Sequence, residues 1–155
     1  MNVIFINPFL ESAIKVLSTM ASIHPVPGKP FLHQDEAVCG DVSGIIGLTG
    51  MARGSMAISF STESILKIVK NMLGEDHDAI NRDICDAVGE LTNMVSGDAR
   101  KRLEQEGLSI AASIPTVIAG RDHVITHVLP GPSIIIPFNT EDGPFYVDVC
   151  LTEYM

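Results

Sequence analysis

The chain has 155 residues, 46% of them hydrophobic and 19% charged, and 19 acidic against ten basic side chains give a formal net charge of −9. That length suits a single domain over residues 1–155 with a sizeable core. The acidic balance argues against nucleic-acid backbones and anionic membrane surfaces as partners.

The N-terminus is apolar, but Asn7-Pro8, Glu11 and Lys15 interrupt it and no basic region precedes it. It therefore reads as neither a signal peptide nor a membrane anchor. Asn7-Pro8 reads instead as an N-cap followed by proline at the first helical position. The helix then runs through Phe9, Ala13, Ile14, Val16, Leu17 and Met20 and ends before Pro25. His24 to Lys29, with Pro25, Pro27 and Gly28, reads as a turn-rich link.

Val42 to Thr49 and Ser55 to Phe60, joined through Gly50–Gly54, predict an antiparallel hairpin. Ser61 then caps a helix over Glu63 to Leu73, with Ser64 as a weak N3 partner and Gly74 as its stop. After a polar loop, a long helix is expected from about Arg82 to Glu106, closing at Gly107 with Lys101 and Arg102 near its negative end. Leu108 to Ala119 is strand-like, and Pro115 predicts an edge, bulge or break within it. Gly120 to Pro132 reads as a loop. Ser133 to Phe138 and Phe145 to Leu151 form a second hairpin around Glu141–Pro144. Helix plus hairpin thus occurs twice. The pattern fits an α/β domain of α+β type, with a mostly antiparallel sheet, packed helices and internal pseudo-symmetry.

The long helix carries the unusual pattern. At about 100° per residue, Ile84, Val88, Leu91 and Val95 form a core-facing stripe. Asp86, Gly89, Glu90, Asn93, Gly97 and Arg100 gather on the other side. Glu90 and Asn93, three apart, project a carboxylate and a carboxamide from one surface. A solvated Glu/Asn pair is ordinary on a helix. Two glycines beside it are not, since each costs about 1 kcal/mol relative to alanine in a helix interior. A face cleared of bulk around one carboxylate and one amide is built to enter something.

Other candidates carry less. Three separated cysteines, Cys39, Cys85 and Cys150, with no CxxC pair, imply reduced thiols and a cytoplasmic setting. Cys85 and Cys150, in apolar surroundings, read as inert. His123 and His127 have metal-like spacing only in a helix, and no third ligand accompanies them. His24, His33 and His77 read as loop histidines. Gly44, Gly47 and Gly50 lack the Gly-Lys-Ser/Thr of a phosphate loop and fit bulges or crossing strands. Arg53 and Arg100 are either solvated charges or aids to docking an acidic partner.

The run DAVGELTNMVSGDARKRL, followed by SIPTVIAG and the IPF…GPFYVDVCL hairpin, resembles the CheX branch of the CheC/CheX/FliY phosphatases. GDVSGIIGLTG and INPFLESAIKVL look like the same family, so the resemblance spans nearly the whole chain and implies a CheC-like fold. The family motif is Asp or Ser, three residues, Glu, two residues, Asn, then 22 residues and proline. Asp86, Glu90 and Asn93 match it in type and spacing, and Pro115 follows after 21 intervening residues.

The resemblance implies dephosphorylation of a phosphorylated CheY-like receiver, the signal carrier of bacterial chemotaxis. The helix would enter the receiver's active site, with Glu90 on its lysine and Asn93 orienting the attacking water. Gly89, Gly97, Asp86 and Pro115 would serve partner binding, Asp86 chiefly by organising the start of the helix face. An acyl phosphate is labile, so positioning a water and stabilising charge suffice. No cofactor is expected on this chain, and Mg²⁺ should belong to the receiver. CheC relatives carry two such sites. Here the first helix has Glu11 followed by Ile14, which agrees with the one-site CheX branch. Homodimers joined through their sheets are also implied. The rival readings are a non-catalytic module that docks a receiver or flagellar-switch protein, and a purely structural dimer domain.

Overall fold

A computed structural model describes residues 3–33, 38–127 and 132–153. In chain order the elements are α1 (Val3–Ala21), β1 (Val26–Pro27), β2 (Phe31–Leu32), β3 (Gly40–Gly50), β4 (Ala52–Phe60), α2 (Thr62–Leu73), α3 (Arg82–Gln105), β5 (Ile110–Ala112), β6 (Thr116–His123), β7 (Ile134–Thr140) and β8 (Gly143–Glu153). The strands form one antiparallel sheet whose order is β1-β7-β8-β4-β3-β5, with β2 also on β7 and β6 also on β3. The hairpins β3–β4 and β7–β8 meet at the centre, where Met56 pairs with Val149. This α+β architecture, with a helix and a hairpin in each half, is the expected fold class.

Alternation along the strands assigns the two faces of the sheet. Val42, Ile46 and Leu48 of β3, Met56, Ile58 and Phe60 of β4, and Phe145, Val147, Val149 and Leu151 of β8 are buried in one cluster with Phe9, Leu17, Ile65, Ile68, Val88, Leu91 and Val95 of the helices. Phe145 stacks on Phe60 and Phe138 with ring centroids 5.4 and 4.8 Å apart. At Gly54, where a Cβ would collide with the Cys150 carbonyl, β4 and β8 approach too closely for a side chain.

The second face holds a polar layer instead. Ser43 Oγ is 2.7 Å from Ser59 Oγ and 2.6 Å from His123 Nε2. Asp148, buried on β8, lies between His33 Nδ1 at 3.0 Å and His127 Nε2 at 2.9 Å, the latter off the line of a good hydrogen bond. His127 Nδ1 meets Ser55 Oγ at 2.5 Å. His33, His123 and His127 thus pin the segments that carry them to the sheet.

The caps follow their residues. Ser61 Oγ accepts from Ser64 N, and Gly74 closes α2 in the left-handed conformation at φ 73. Asn81 caps α3, and Gly107 follows it at φ 86. Three expectations are corrected. Pro8 lies inside α1 rather than at its start, because Val3–Asn7 continue the helix; the Ile4 carbonyl is then the one that loses its ladder donor. The link His24 to Lys29 contains the short strand β1, and β2 follows it, both on the edge of β7. The strand over Leu108–Ala119 breaks around Ser113–Pro115, as Pro115 predicts, but its second part runs past Gly120, read as the start of a loop, to His123. That extension holds because Asp41 Oδ1 accepts from the Asp122 backbone, pinning β6 beside β3. Residues 128–131 of the predicted loop lie outside the described residues.

Candidate functional site

The site is built on α3. Its N-cap is Asn81, whose Oδ1 accepts from Ile84 N at 3.0 Å, and Asp83 in the first turn favours the positive end of the dipole. Ile84, Val88, Leu91, Thr92, Val95, Ala99 and Leu103 are buried against the sheet and α1. With that stripe anchored, Asp86, Glu90 and Asn93 come out on the opposite side, all exposed. The carboxylate and the amide are therefore presented by a helix that cannot roll without tearing its core contacts.

Height matters as much as rotation. Thr92, next to Asn93, is fully buried with its hydroxyl donating to the Val88 carbonyl at 2.7 Å. A Cβ at Gly44 of β3 would collide with that hydroxyl. Gly44 thus lets α3 lie directly on the strand and sets how far Asn93 stands from the sheet. The sequence shows this glycine but not its partner, 48 positions away by residue number.

The two helix glycines differ from the expectation of an open face. Both are half-buried. A Cβ on Gly89 would touch Val117 Cγ2 of β6 at 3.5 Å, and one on Gly97 would lie 3.9 Å from a terminal nitrogen of Arg100. Gly89 therefore seats β6 beside the helix, while Gly97 gives room to a guanidinium. Pro115 falls in the break between β5 and β6, half-buried, in the segment that runs back along α3 toward Val117. Its neighbour Ile114 is 90% exposed. Thus Asp86, Glu90 and Asn93 share one surface, with Pro115 on its flank.

The corresponding helix α1 offers no second site. Glu11 accepts from Arg102 of α3 at 2.6 Å, and Arg102 also binds Asp98 at 2.8 Å, which in turn holds Lys15 at 3.3 Å. Burial raises the Asp98 carboxyl pKa, but the hydrogen bonds from Arg102, Ser12 and Lys15 overcome it and hold the group below its usual range. The thiols of Cys85 and Cys150 are pushed up by burial and by Asp86 and Asp148 respectively, which disfavours thiolate chemistry. Cys85 is only half-buried, and Cys39 is exposed.

Among the described residues, one group has metal-like spacing. Glu75, His77 and Asp83 bring ligand atoms within 4.8 Å of one another. It does not fit a cation. Asn81 uses its oxygen on Ile84 N, so its amide nitrogen, 3.2 Å from His77 Nδ1, must donate to that ring nitrogen. The ring proton then sits on Nε2, the atom nearest Glu75, where a metal would need a lone pair.

Comparison with known proteins decides the family. The family profile described as chemotaxis phosphatase CheX matches residues 42–139. The chain belongs to the CheX family. The CheY-P phosphatase CheX of Thermotoga maritima is 32% identical over 118 residues, 76% of each chain. The crystal structure of chemotaxis protein CheX from Vibrio vulnificus superposes with a TM-score of 0.92 at 43% identity, covering 95% of this chain and 98% of that one. CheX in the CheX–CheY–BeF₃–Mg²⁺ complex from Borrelia burgdorferi gives a TM-score of 0.82 at 27% identity, covering 96% and 98%. No helix among the described residues is long and apolar enough to cross a membrane.

Proposed function

We propose that this protein dephosphorylates a phosphorylated CheY-like receiver by laying α3 into the receiver's phosphorylation site. The observation that carries the reading is the joint exposure of Glu90 and Asn93 on a helix fixed by its buried face, in a chain of the CheX family. Asn93 has both donors and an acceptor and does not titrate, so it holds a water in line with the phosphorus. Glu90 accepts a charge-assisted hydrogen bond from a lysine of the receiver. Asp86 organises the first turns of the face, and Pro115 fixes the segment beside it. The Mg²⁺ that neutralises phosphoryl charge sits on the receiver. The work takes place in the cytoplasm.

We further propose a homodimer joined edge to edge through β6, which is largely exposed along its length and carries the uncharged run Thr116–Gly120. The side of β6 away from β3, unpaired among the described residues, is a ready template for another strand.

The test is the loss of phosphate from phosphorylated receiver with wild type, Asn93→Ala and Glu90→Ala. Asn93→Ala is expected to fold, to bind the phosphorylated receiver, and to lose about a hundredfold or more in turnover. Glu90→Ala is expected to weaken capture as well as rate. Undiminished phosphate release by Asn93→Ala would remove the amide from the mechanism, and a wild type that binds without turnover would leave a docking module.

A further inference from the structure

Arg100 lies seven residues beyond Asn93, two turns along α3 and on nearly the same side of it. Helical side chains lean toward the N-terminus, and this one does: a terminal nitrogen sits 3.9 Å from where a Gly97 Cβ would be. The guanidinium therefore lies over Gly97, about 6 Å along the axis from Asn93. Its Nε is shielded from solvent without a hydrogen-bond partner, and the side chain makes no ion pair among the described residues. Arg102, two residues on, is fully engaged by Asp98 and Glu11. One arginine is spent within the fold. The other is held in place with its fork unused.

The charges around it give that fork a purpose. Asp86 and Glu90 precede Asn93 on the same stripe, Glu104 follows Arg100 by a turn, and the chain as a whole carries −9. A phosphorylated carboxylate and the acidic groups that hold its metal make a strongly anionic target, which repels such a protein at long range. A planar guanidinium suits a carboxylate better than any other cationic side chain. With α3 docked as proposed, the phosphoryl oxygens would face Asn93 and the receiver's own metal, so a guanidinium one turn away meets the rim of that site.

We propose that Arg100 is a docking residue that binds an acidic side chain on the rim of the receiver's phosphorylation site. The inference rests on the proposed reading of Glu90 and Asn93. Together they make the helix dipolar: Glu90 takes a cation at one end, Arg100 an anion at the other, and the amide is fixed between them. Reversed docking would oppose like charges, so this polarity sets which way α3 enters.

Steady-state dephosphorylation, read as separate kcat and KM, tests it with Arg100→Ala, Arg100→Lys, Arg100→Glu and Asn93→Ala. Arg100→Ala is expected to raise KM about tenfold with kcat within about twofold. Arg100→Glu should raise KM further, and Arg100→Lys should recover part of the loss. The fall of kcat/KM with added salt should be shallower in Arg100→Ala than in wild type. Circular dichroism and thermal melts confirm folding, and Arg100→Lys stands in if Arg100→Ala unfolds. Unchanged KM in both Arg100→Ala and Arg100→Glu, with Asn93→Ala inactive, overturns the role of Arg100 alone. Full activity in Asn93→Ala overturns the reading beneath it.

Discussion

In the proposed mechanism Glu90 and Asn93 need no unusual surroundings, but they need to stand at a fixed distance from the sheet. Two neighbours with no role in the chemistry set that distance: Gly44, and the Thr92 hydroxyl that would strike any side chain there. Gly44→Ala is expected to lift α3, to destabilise the fold by about 1–3 kcal/mol as over-packed cores do, and to cost turnover out of proportion to stability. Thr92→Ala removes the colliding hydroxyl, so the double variant should regain most of the lost stability. A double-mutant cycle by urea unfolding, run beside the phosphatase assay, measures the coupling. Additive effects would mean that this contact does not set the height of the helix. The pair also marks a limit of sequence reading. Glu90 and Asn93 were legible because they sit three apart on one periodic element, whereas Gly44 gave only a strand glycine with no indication of what crossed it.

At the scale of elements, α1 and α3 are neighbours of different use. Where α3 has its exposed amide, α1 has Ile14, and its Glu11 and Lys15 are tied to Arg102 and Asp98. This clamp braces the helix that carries the site. Its pH dependence follows from Asp98, whose folded-state pKa is lowered. A lowered carboxylate contributes stability that is fully present above its unfolded value of about 3.9 and lost as pH falls through the folded value. Asp98→Asn should therefore cost about 1–2 kcal/mol near neutral pH, and the gap to wild type should close below about pH 4. Urea midpoints across that range check it; a constant gap would show that the loss is not electrostatic. Element existence was largely legible: α2, α3 and both hairpins follow periodicity and caps. The misses have local causes. Pro8 read as a start because proline favours that position, Gly120 read as a stop in what is an exposed edge, and two-residue strands such as β1 and β2 leave no pattern.

On the whole molecule, the sheet is asymmetric in what it leaves open. Its helix face is sealed by the core. The second face is covered through histidine pins whose partners are far apart in sequence, His33 and Asp148 by 115 positions, which is why those histidines read as ordinary. One edge, β7, is partly capped by β1 and β2. The other presents β6, with Ile118 still 38% exposed and no lysine, proline or inward charge between Thr116 and Gly120 to discourage pairing. Val117 is turned to Gly89, so Ile118 points to the other side of the strand, where a lysine leaves α3 untouched. If β6 joins the proposed dimer, Ile118→Lys is expected to shift sedimentation equilibrium from dimer to monomer. If each subunit carries a complete site, as a single α3 with both side chains exposed requires, the monomer should keep turnover per chain within about twofold. A variant that stays dimeric would move the contact elsewhere on the molecule. One that becomes monomeric and inactive would mean that the second subunit completes the site, and that β6 both joins the two chains and positions the helix beside it.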